Sequence, residues 1–490
     1  MRDNLMVEIT RKNPDELGQY IGRNLRNVMA HSAYTSGNVY NSVTLMVFSI
    51  MMKYLDDNRE CFDLEIPDIL RFDILTALMP DKVSYDKLAE YLRYIQDRMG
   101  IDSMGNYLYN GLERSGLKEQ KEFLHVIFSV LEEYDFGNEN GGRIALAAAT
   151  TIIDYMSTFP QTGAQNMPLP ILKLLDRISG IKSGMKCYGF TTDSTLTLSL
   201  LTAGKHCDVV AQTNNYYNET LCIMLLIMAC DPNHGRLIRN QIEWMPIGLQ
   251  DFEEKFERVY AMPPFNSQMN IRETLMQSER QGERFIEWWP EMLGSGEWIY
   301  ARHLLKALKP DGIGYIVFPL GMLSRMGSYM EVRERFIREN LIDAVIEFPA
   351  GTFYRTAVKV AVLVIKKCRK DKDILMVNLG GNAAKDLIQI SRSVVELFDA
   401  ESVAEMIQQR KEVKYISELV SFVEIMNNGC CLSPSAYICE DFDLNILSDD
   451  FNSLIQDDGR LLDEFKEATN IFYKAMQKYL DMKNEWENLE

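Results

Sequence analysis

The sequence predicts an α/β fold: an open, largely parallel sheet with helices on both faces, a helical region before it and a helical segment after it. Three observations predict it. From about Ala164 onward, short strand-like apolar runs alternate with helical ones, the pattern of a sheet built from strand–helix units. Before that, apolar residues recur at three- and four-residue spacing, most clearly in Val39–Leu55 and Lys121–Tyr134. After it, Asp458–Glu490 repeats Leu461, Phe465, Ala468, Phe472, Met476 and Tyr479 at the same spacing.

The elements follow in order. Asn13 to about Tyr134 reads as helical. Gly137–Gly142 (Gly-Asn-Glu-Asn-Gly-Gly) is a loop, and a helix over Arg143–Met156 follows it. Phe159–Gly163 is a second loop, and Leu169–Ile178 a further helix. Strands are expected at Met185–Phe190, His206–Thr213, Arg236–Trp244, Arg258–Ala261, Gly312–Pro319, Ile342–Phe348, Val358–Lys366 and Ile374–Leu379. Helices are expected between them at Glu219–Cys230, Glu297–Leu308 and Glu331–Glu339. This divides the chain into a helical domain over residues 1–140, a sheet domain over 160–440 and a helical segment over 441–490 suited to packing on its own domain or on a partner. Ligands in such sheets sit beyond the carboxyl ends of the strands.

Composition narrows the function. A chain of 490 residues with 47% hydrophobic and 25% charged residues is globular rather than disordered. Its longest apolar runs, Val43–Met52 and Leu221–Cys230, fall short of a membrane span and suit buried helices. The charged start (Arg2, Asp3, Glu8) is unlike a signal peptide, so a cytoplasmic protein is expected. The nine cysteines include no C-x-x-C pair, which argues for reduced thiols and against structural zinc; no metal site is expected. A formal charge of −18 counts against binding nucleic acid alone: an acidic chain must gather its cations locally, borrow a basic partner or avoid DNA. Trp288, Trp289 and Trp298 suit core packing more than base contact, Lys366–Lys370 suits a solvated turn, and His234 and His303 have no evident partner.

One motif carries chemistry. Met262-Pro-Pro-Phe265 follows a strand directly. Prolines hold backbone carbonyls in one geometry, and an aromatic ring can stack on a base that has left its duplex. The motif resembles the N-P-P-[YF] tetrapeptide of adenine-specific amino-methyltransferases. Its surroundings fit the modification-subunit family of type I restriction–modification systems. Lys309–Gly312 looks like the turn into that family's fifth strand, and Tyr315–Leu323 is similar to its "P-x-G-x-L" exit. Glu331–Glu339 resembles its "R-x-x-L" helix, with Phe336 at the leucine position, and Phe348–Tyr354 (Phe-Pro-Ala-Gly-Thr-Phe-Tyr) its "LPxGxFY" segment. Asn427–Tyr437 resembles the closing "N-L-S-P-x-R-Y". The resemblance spans about Gly163 to Tyr437. It implies a class I methyltransferase, Rossmann-like sheet, S-adenosylmethionine as cofactor and an adenine in DNA as substrate.

The same comparison marks departures. Where the family wraps S-adenosylmethionine with "D-P-[AT]-C-G-S-G", this chain has Gly189-Phe-Thr-Thr-Asp-Ser-Thr195; Thr191 and Ser194 survive, and Asp193 offers a displaced carboxylate. Thr213 stands where an acid holds the ribose, and Glu243 is one residue from the acid that meets the adenine of the cofactor. Asn166-Met-Pro168 lacks the hydroxyl of "[FY]-T-P". Met262 replaces the Asn or Asp that orients the amine, and a thioether is only a weak acceptor. The candidate site is therefore Met262, Pro263, Pro264 and Phe265 for catalysis, with Gly189, Thr191, Asp193, Ser194, Thr213 and Glu243 for the cofactor.

Three readings stay open. The first is a pseudoenzyme subunit of a DNA-modification or defence complex, with cofactor binding weak or absent. Its partner would be a specificity-type subunit or an active methyltransferase subunit, and DNA would be met only within the complex. The second is an active adenine methyltransferase with a divergent Met-Pro-Pro-Phe site, where Asp193, Glu243 or Asn266 replace lost groups. The third is a protein whose old cofactor crevice, near Cys187, Tyr188 and Phe190, takes another small molecule.

Overall fold

The computed structural model describes residues 13–31, 39–78, 85–98, 107–118, 120–137, 140–156, 167–189, 194–202, 205, 207–212, 216–229, 241–243, 255–263, 265, 297–353, 356–391 and 394–438. By contact the chain divides into two compact units, Met1–Cys439 and Glu440–Glu490. The helix expected over Asp458–Glu490 lies outside the described residues.

The helical first part contains α1 (Pro14–His31), α2 (Val39–Asp57), α3 (Phe72–Leu78), α4 (Tyr85–Arg98), α5 (Tyr107–Arg114), α6 (Lys121–Leu131) and α7 (Gly141–Met156). Helix α7 begins two residues before the expected Arg143. Helix α2 is buried on every side from Ser42 to Asp56, which explains its lack of a polar face. No helix among the described residues is long and apolar enough to cross a membrane.

The sheet part follows as α8 (Leu169–Ile178), β1 (Lys186–Gly189), α9 (Ser194–Thr202), β2 (Asp208–Gln212), α10 (Tyr216–Ala229), β3 (Gln241–Glu243), β4 (Phe256–Ala261), α11 (Glu297–Ala307) and β5 (Leu308–Pro319). It continues with α12 (Ser328–Arg338), β6 (Ile342–Phe348), β7 (Val360–Lys366), β8 (Ile374–Asn378), β9 (Ile388–Ser391), β10 (Val394–Leu397), α13 (Ala400–Gln408), β11 (Ser417–Val420) and α14 (Phe422–Asn427). Every expected strand has an observed counterpart. The hairpin β9–β10, α13, β11 and α14 were not among the expected elements.

The nine-stranded sheet runs β3-β2-β1-β4-β5-β7-β6-β8-β11. β7 is antiparallel to both its neighbours, and β11 to β8; the remaining pairs are parallel. The chain therefore winds outward from β1 to β3, returns to β4 and winds the other way. That reversal at β1/β4 is the switch point where open sheets bind ligands. β4 and β5 pair at Phe256↔Leu308 and next at Arg258↔Ile313, so Lys309–Gly312 forms a bulged excursion inside β5 rather than a turn before it.

Helix α10 explains how the two parts join. It follows β2, and its residues Leu221 and Ile223–Ala229 are all buried. The sheet side cannot cover both of its faces, and α2, α5 and α7 cover the other. Two glycines permit the approach: a Cβ on Gly111 of α5 would lie 1.7 Å from Thr220 Oγ1, and one on Gly142 of α7 would lie 2.7 Å from the Met228 carbonyl oxygen. Helical part and sheet thus share one hydrophobic core, which runs from Ile21 to Ile416.

Charges at the amino edge of the sheet are locally matched. Two members of the basic run Lys366–Lys370, expected as a solvated turn, pair with Asp343, while Cys368 and Lys370 are exposed: Lys366 Nζ lies 2.6 Å, Arg369 Nε 3.1 Å and, from α13's exit, Arg410 Nη1 2.8 Å from its carboxylate. Burial alone would raise the Asp343 carboxyl. The Lys366 hydrogen bond and the charges of Lys366, Arg369 and Arg410 outweigh it and hold the group below the usual carboxylate range.

Two outcomes are expected. Gly142→Val should destabilise the protein by about 1–3 kcal/mol in urea denaturation, because the added methyls meet backbone. Asp343→Asn should lower stability at pH 7. A carboxyl depressed in the folded state stabilises above its unfolded value and loses that contribution as pH falls through the folded one. The gap between parent and variant should therefore narrow below about pH 4.

Candidate functional site at the carboxyl edge of the sheet

Four parallel strands bring the expected site segments to one edge. Gly189, the last residue of β1, stands opposite Ala211 of β2 and Tyr260 of β4. Gln212 of β2 stands opposite Glu243, the last residue of β3. The strand ends Gly189, Gln212, Glu243 and Ala261 thus lie along the same edge of the sheet, within about 14 Å across three strand spacings. Gly189 is buried, and Ser194 opens α9. Thr191, Asp193, Thr213, Pro264 and Asn266 lie outside the described residues, as does the loop segment Asn166. Asn378, Glu347 and Lys359 line the same edge farther along, on and beside β8, β6 and β7.

Met262 and Pro263 follow β4 immediately and are buried, Met262 at 3% exposure. A thioether thus occupies a desolvated position at the switch point. It offers no N–H or O–H to a substrate and only a weak acceptor. Phe265 is half-buried and meets Phe353 edge to face, with ring centroids 5.1 Å apart and planes at 72°. Phe353 belongs to the Phe348–Tyr354 segment, so two residues 88 positions apart in sequence, from two separate motifs, touch in space. Gly351, at φ +84°, makes the turn that returns Phe353 to this position, with the Val395 side chain of β10 packed beyond it.

The motifs farther along explain one another. Glu347, fully buried, receives Lys359 Nζ at 2.9 Å on one oxygen and the Ser435 backbone N–H at 3.0 Å on the other. One carboxylate therefore ties Phe348–Tyr354 to the closing Asn427–Tyr437 segment. Arg333, in α12, is fully buried. Its Nε donates to the Cys430 carbonyl at 2.8 Å and its Nη1 to the Met322 carbonyl at 3.3 Å. Burial pushes the guanidinium below its usual range. Phe336, one turn on, packs against Trp298, which also meets Phe318 of β5 (centroids 5.1 and 4.9 Å). Trp298 is therefore a core residue; Trp288 and Trp289 lie outside the described residues. His303 does have a partner: Tyr188 Oη lies 2.9 Å from its Nε2, and burial pushes the imidazole down to about 3, so it is neutral at pH 7.

Sequence reading named the motifs but not these contacts. Phe353, Glu347, Lys359 and Arg333 were inside or beside quoted segments. Only Arg333 carried a signal of its own, a lone cation on the apolar stripe Val332–Phe336–Ile337. Among the described residues no group of three or more His, Cys, Asp or Glu is placed to hold a metal.

Comparison with known proteins agrees with this geometry. The model of the N-6 DNA Methylase family matches residues 212–442, from the end of β2 to beyond the closing motif. The type I restriction enzyme MjaVIII methylase subunit of Methanocaldococcus jannaschii is 26% identical over 208 residues, 41% of this chain and 36% of that one. The MpnII methylase subunit of Mycoplasma pneumoniae is 23% identical over 173 residues, 34% of this chain and 32% of that one. The aligned stretch thus spans about a third of each of these relatives. The crystal structure of the type I restriction–modification methyltransferase subunit from Streptococcus thermophilus superposes with a TM-score of 0.69 at 18% identity, covering 87% of this chain and all of that one, which establishes a shared fold. The strand order 3-2-1-4-5-7-6 with β7 reversed is the class I methyltransferase sheet that the motifs implied. Residues 212–442 thus carry the match to the N-6 DNA Methylase family, and the chain is similar to the methylase subunits of type I restriction enzymes.

Proposed function

We propose that this protein is a type I modification-subunit-like methyltransferase relative whose own methyl transfer is impaired, and that it serves as a shape-holding subunit of a DNA-modification or defence complex. The buried Met262 carries this reading. A family that methylates an exocyclic amine uses the side chain at that position to accept the amine's hydrogens, and a thioether cannot orient them.

The cofactor side supports the same reading. S-adenosylmethionine is the family's methyl donor, and it would lie over the ends of β1 and β2. In the matching segments the sequence keeps Thr191 and Ser194, but it has Gly189 in place of the family's acid, Asp193 and Thr195 in place of glycines that allow close backbone approach, and Thr213 in place of the acid that holds the ribose. Each missing polar contact costs on the order of 1–3 kcal/mol. Several together lower affinity by orders of magnitude. The residues present do not fit the donor well, and cofactor binding is weak or absent in this reading. DNA is then met through a specificity-type subunit or an active methyltransferase subunit, which also suits a chain of charge −18.

The kept Phe265–Phe353 pair favours the second reading, a divergent but active adenine methyltransferase. Two measurements separate them. Calorimetric titration with S-adenosylmethionine should stay silent to millimolar cofactor, and radioactive methyl should not pass to unmethylated duplex DNA. Micromolar binding with methyl incorporation would establish the active enzyme. Met262→Asn alone should restore nothing, because the cofactor contacts stay missing; activity regained by that one change would show an intact cofactor site.

A further inference from the structure

A cavity of about 540 Å³ opens between α1, α7, α8, the end of α9 and the β10–α13 junction, and none of the candidate site residues lines it. Its floor is apolar: Leu146, Leu172, Leu201 and Leu397 are buried beneath it. Its walls are helix faces. Arg143, Leu146, Ala147 and Thr150 line it from α7, and Leu169, Leu172, Lys173 and Asp176 from α8, both at helical spacing. Two such faces around an apolar floor leave a groove that a third helix fills by packing its ridges between theirs.

At the rim, Phe398 is 56% exposed, one of the few large apolar side chains on the described surface to be so. An exposed aromatic beside a preformed cavity is the usual form of an interface anchor. The rim is also acidic. The cations Arg143, Arg177 and Lys205 are each paired within the cavity wall, to Asp15 at 2.7 Å, Glu401 at 3.1 Å and Asp176 at 3.1 Å. Glu16 and Glu396, both exposed, have no ion pair among the described residues; Lys173 is the opposing cation in the same position.

The geometry points to a docking groove for an amphipathic helix of a partner protein, apolar on the face that meets the leucine floor and Phe398 and basic on its flanks. Charge selects a basic helix, since the groove's carboxylates outnumber its cations and the chain as a whole is strongly acidic. This groove acts whether or not the carboxyl edge transfers methyl groups, so its test is independent of that question.

The test uses the full chain and a fluorescein-labelled 18-residue helical peptide of leucine and lysine, with leucines at i, i+3, i+4 and i+7. Fluorescence anisotropy should show saturable binding that Phe398→Asp weakens at least about tenfold. Glu16→Lys with Glu396→Lys should weaken it as well. All three positions are exposed, so the variants should keep the parent's thermal stability. Val423→Asp, at an exposed apolar position elsewhere, should change nothing. An equal effect of Val423→Asp, or none of Phe398→Asp, would mean mere attraction of a cationic peptide to an acidic protein and would overturn the groove. Equal binding by the same peptide with glutamate in place of lysine would overturn the choice of a basic partner.

Discussion

Gly189 lies opposite Tyr260 because β1 and β4 run side by side in the same direction, and that one ladder decides where everything else at the site can stand. Strand pairing fixes positions along the chain to a fraction of a residue. A slip of one residue would turn each inward side chain outward. With Gly189 held there, the end of β1 and the Met262–Pro263 exit of β4 are neighbours along the edge. The anchoring behind this ladder is strong. Arg258, beside Cys187 in the register, donates to the Ser179 carbonyl, and Tyr315 donates to that of Ile178 at 2.9 Å, so β4, β5 and the end of α8 are tied together. Tyr260 and Tyr315 stack across β4 and β5, with centroids 5.3 Å apart.

The motifs that carry the family resemblance are tied to one another across the fold. Arg333 joins the turn after β5, at Met322, to Cys430, Glu347 joins Lys359 to Ser435, and Phe336 packs against Trp298. These are buried polar and aromatic contacts, and removing one partner leaves the other unpaired in a low dielectric. They preserve shape irrespective of any reaction. Met262 differs from these: it is buried in the core, where its thioether packs among apolar side chains. Contacts of the first kind keep a sequence recognisable because they are made across the fold rather than within one segment.

Much of the fold was legible. Leu169–Ile178 and Ile342–Phe348 have the bounds expected from periodicity, because each is a clean amphipathic or fully apolar run. What escaped was decided by distant partners. Lys309–Gly312 has turn composition, yet its neighbours on both sides pair with β4 and carry it within a strand. Lys366 and Arg369 look solvated until Asp343 and Arg410 arrive from other elements. The short strands β9 to β11 lack a long apolar run and depend on the surface they pack against. At the site, the sequence supplied the positions of Gly189, Met262 and Phe265, but the contact of Phe265 with Phe353 depends on a turn at Gly351 that no local pattern announces.

The excursion in β5 has a practical side. Phe256 pairs before it and Arg258 after it, so the ladder resumes with its register shifted and the residues between are not matched one to one. Pro310 and Asp311 are exposed at its tip, whereas Gly312 is hemmed in by the Phe256 carbonyl. A reporter peptide or an unnatural amino acid spliced between Pro310 and Asp311 would project into solvent without shifting a strand, on the rim opposite Met262. The molecule thus carries its own attachment point for labelling.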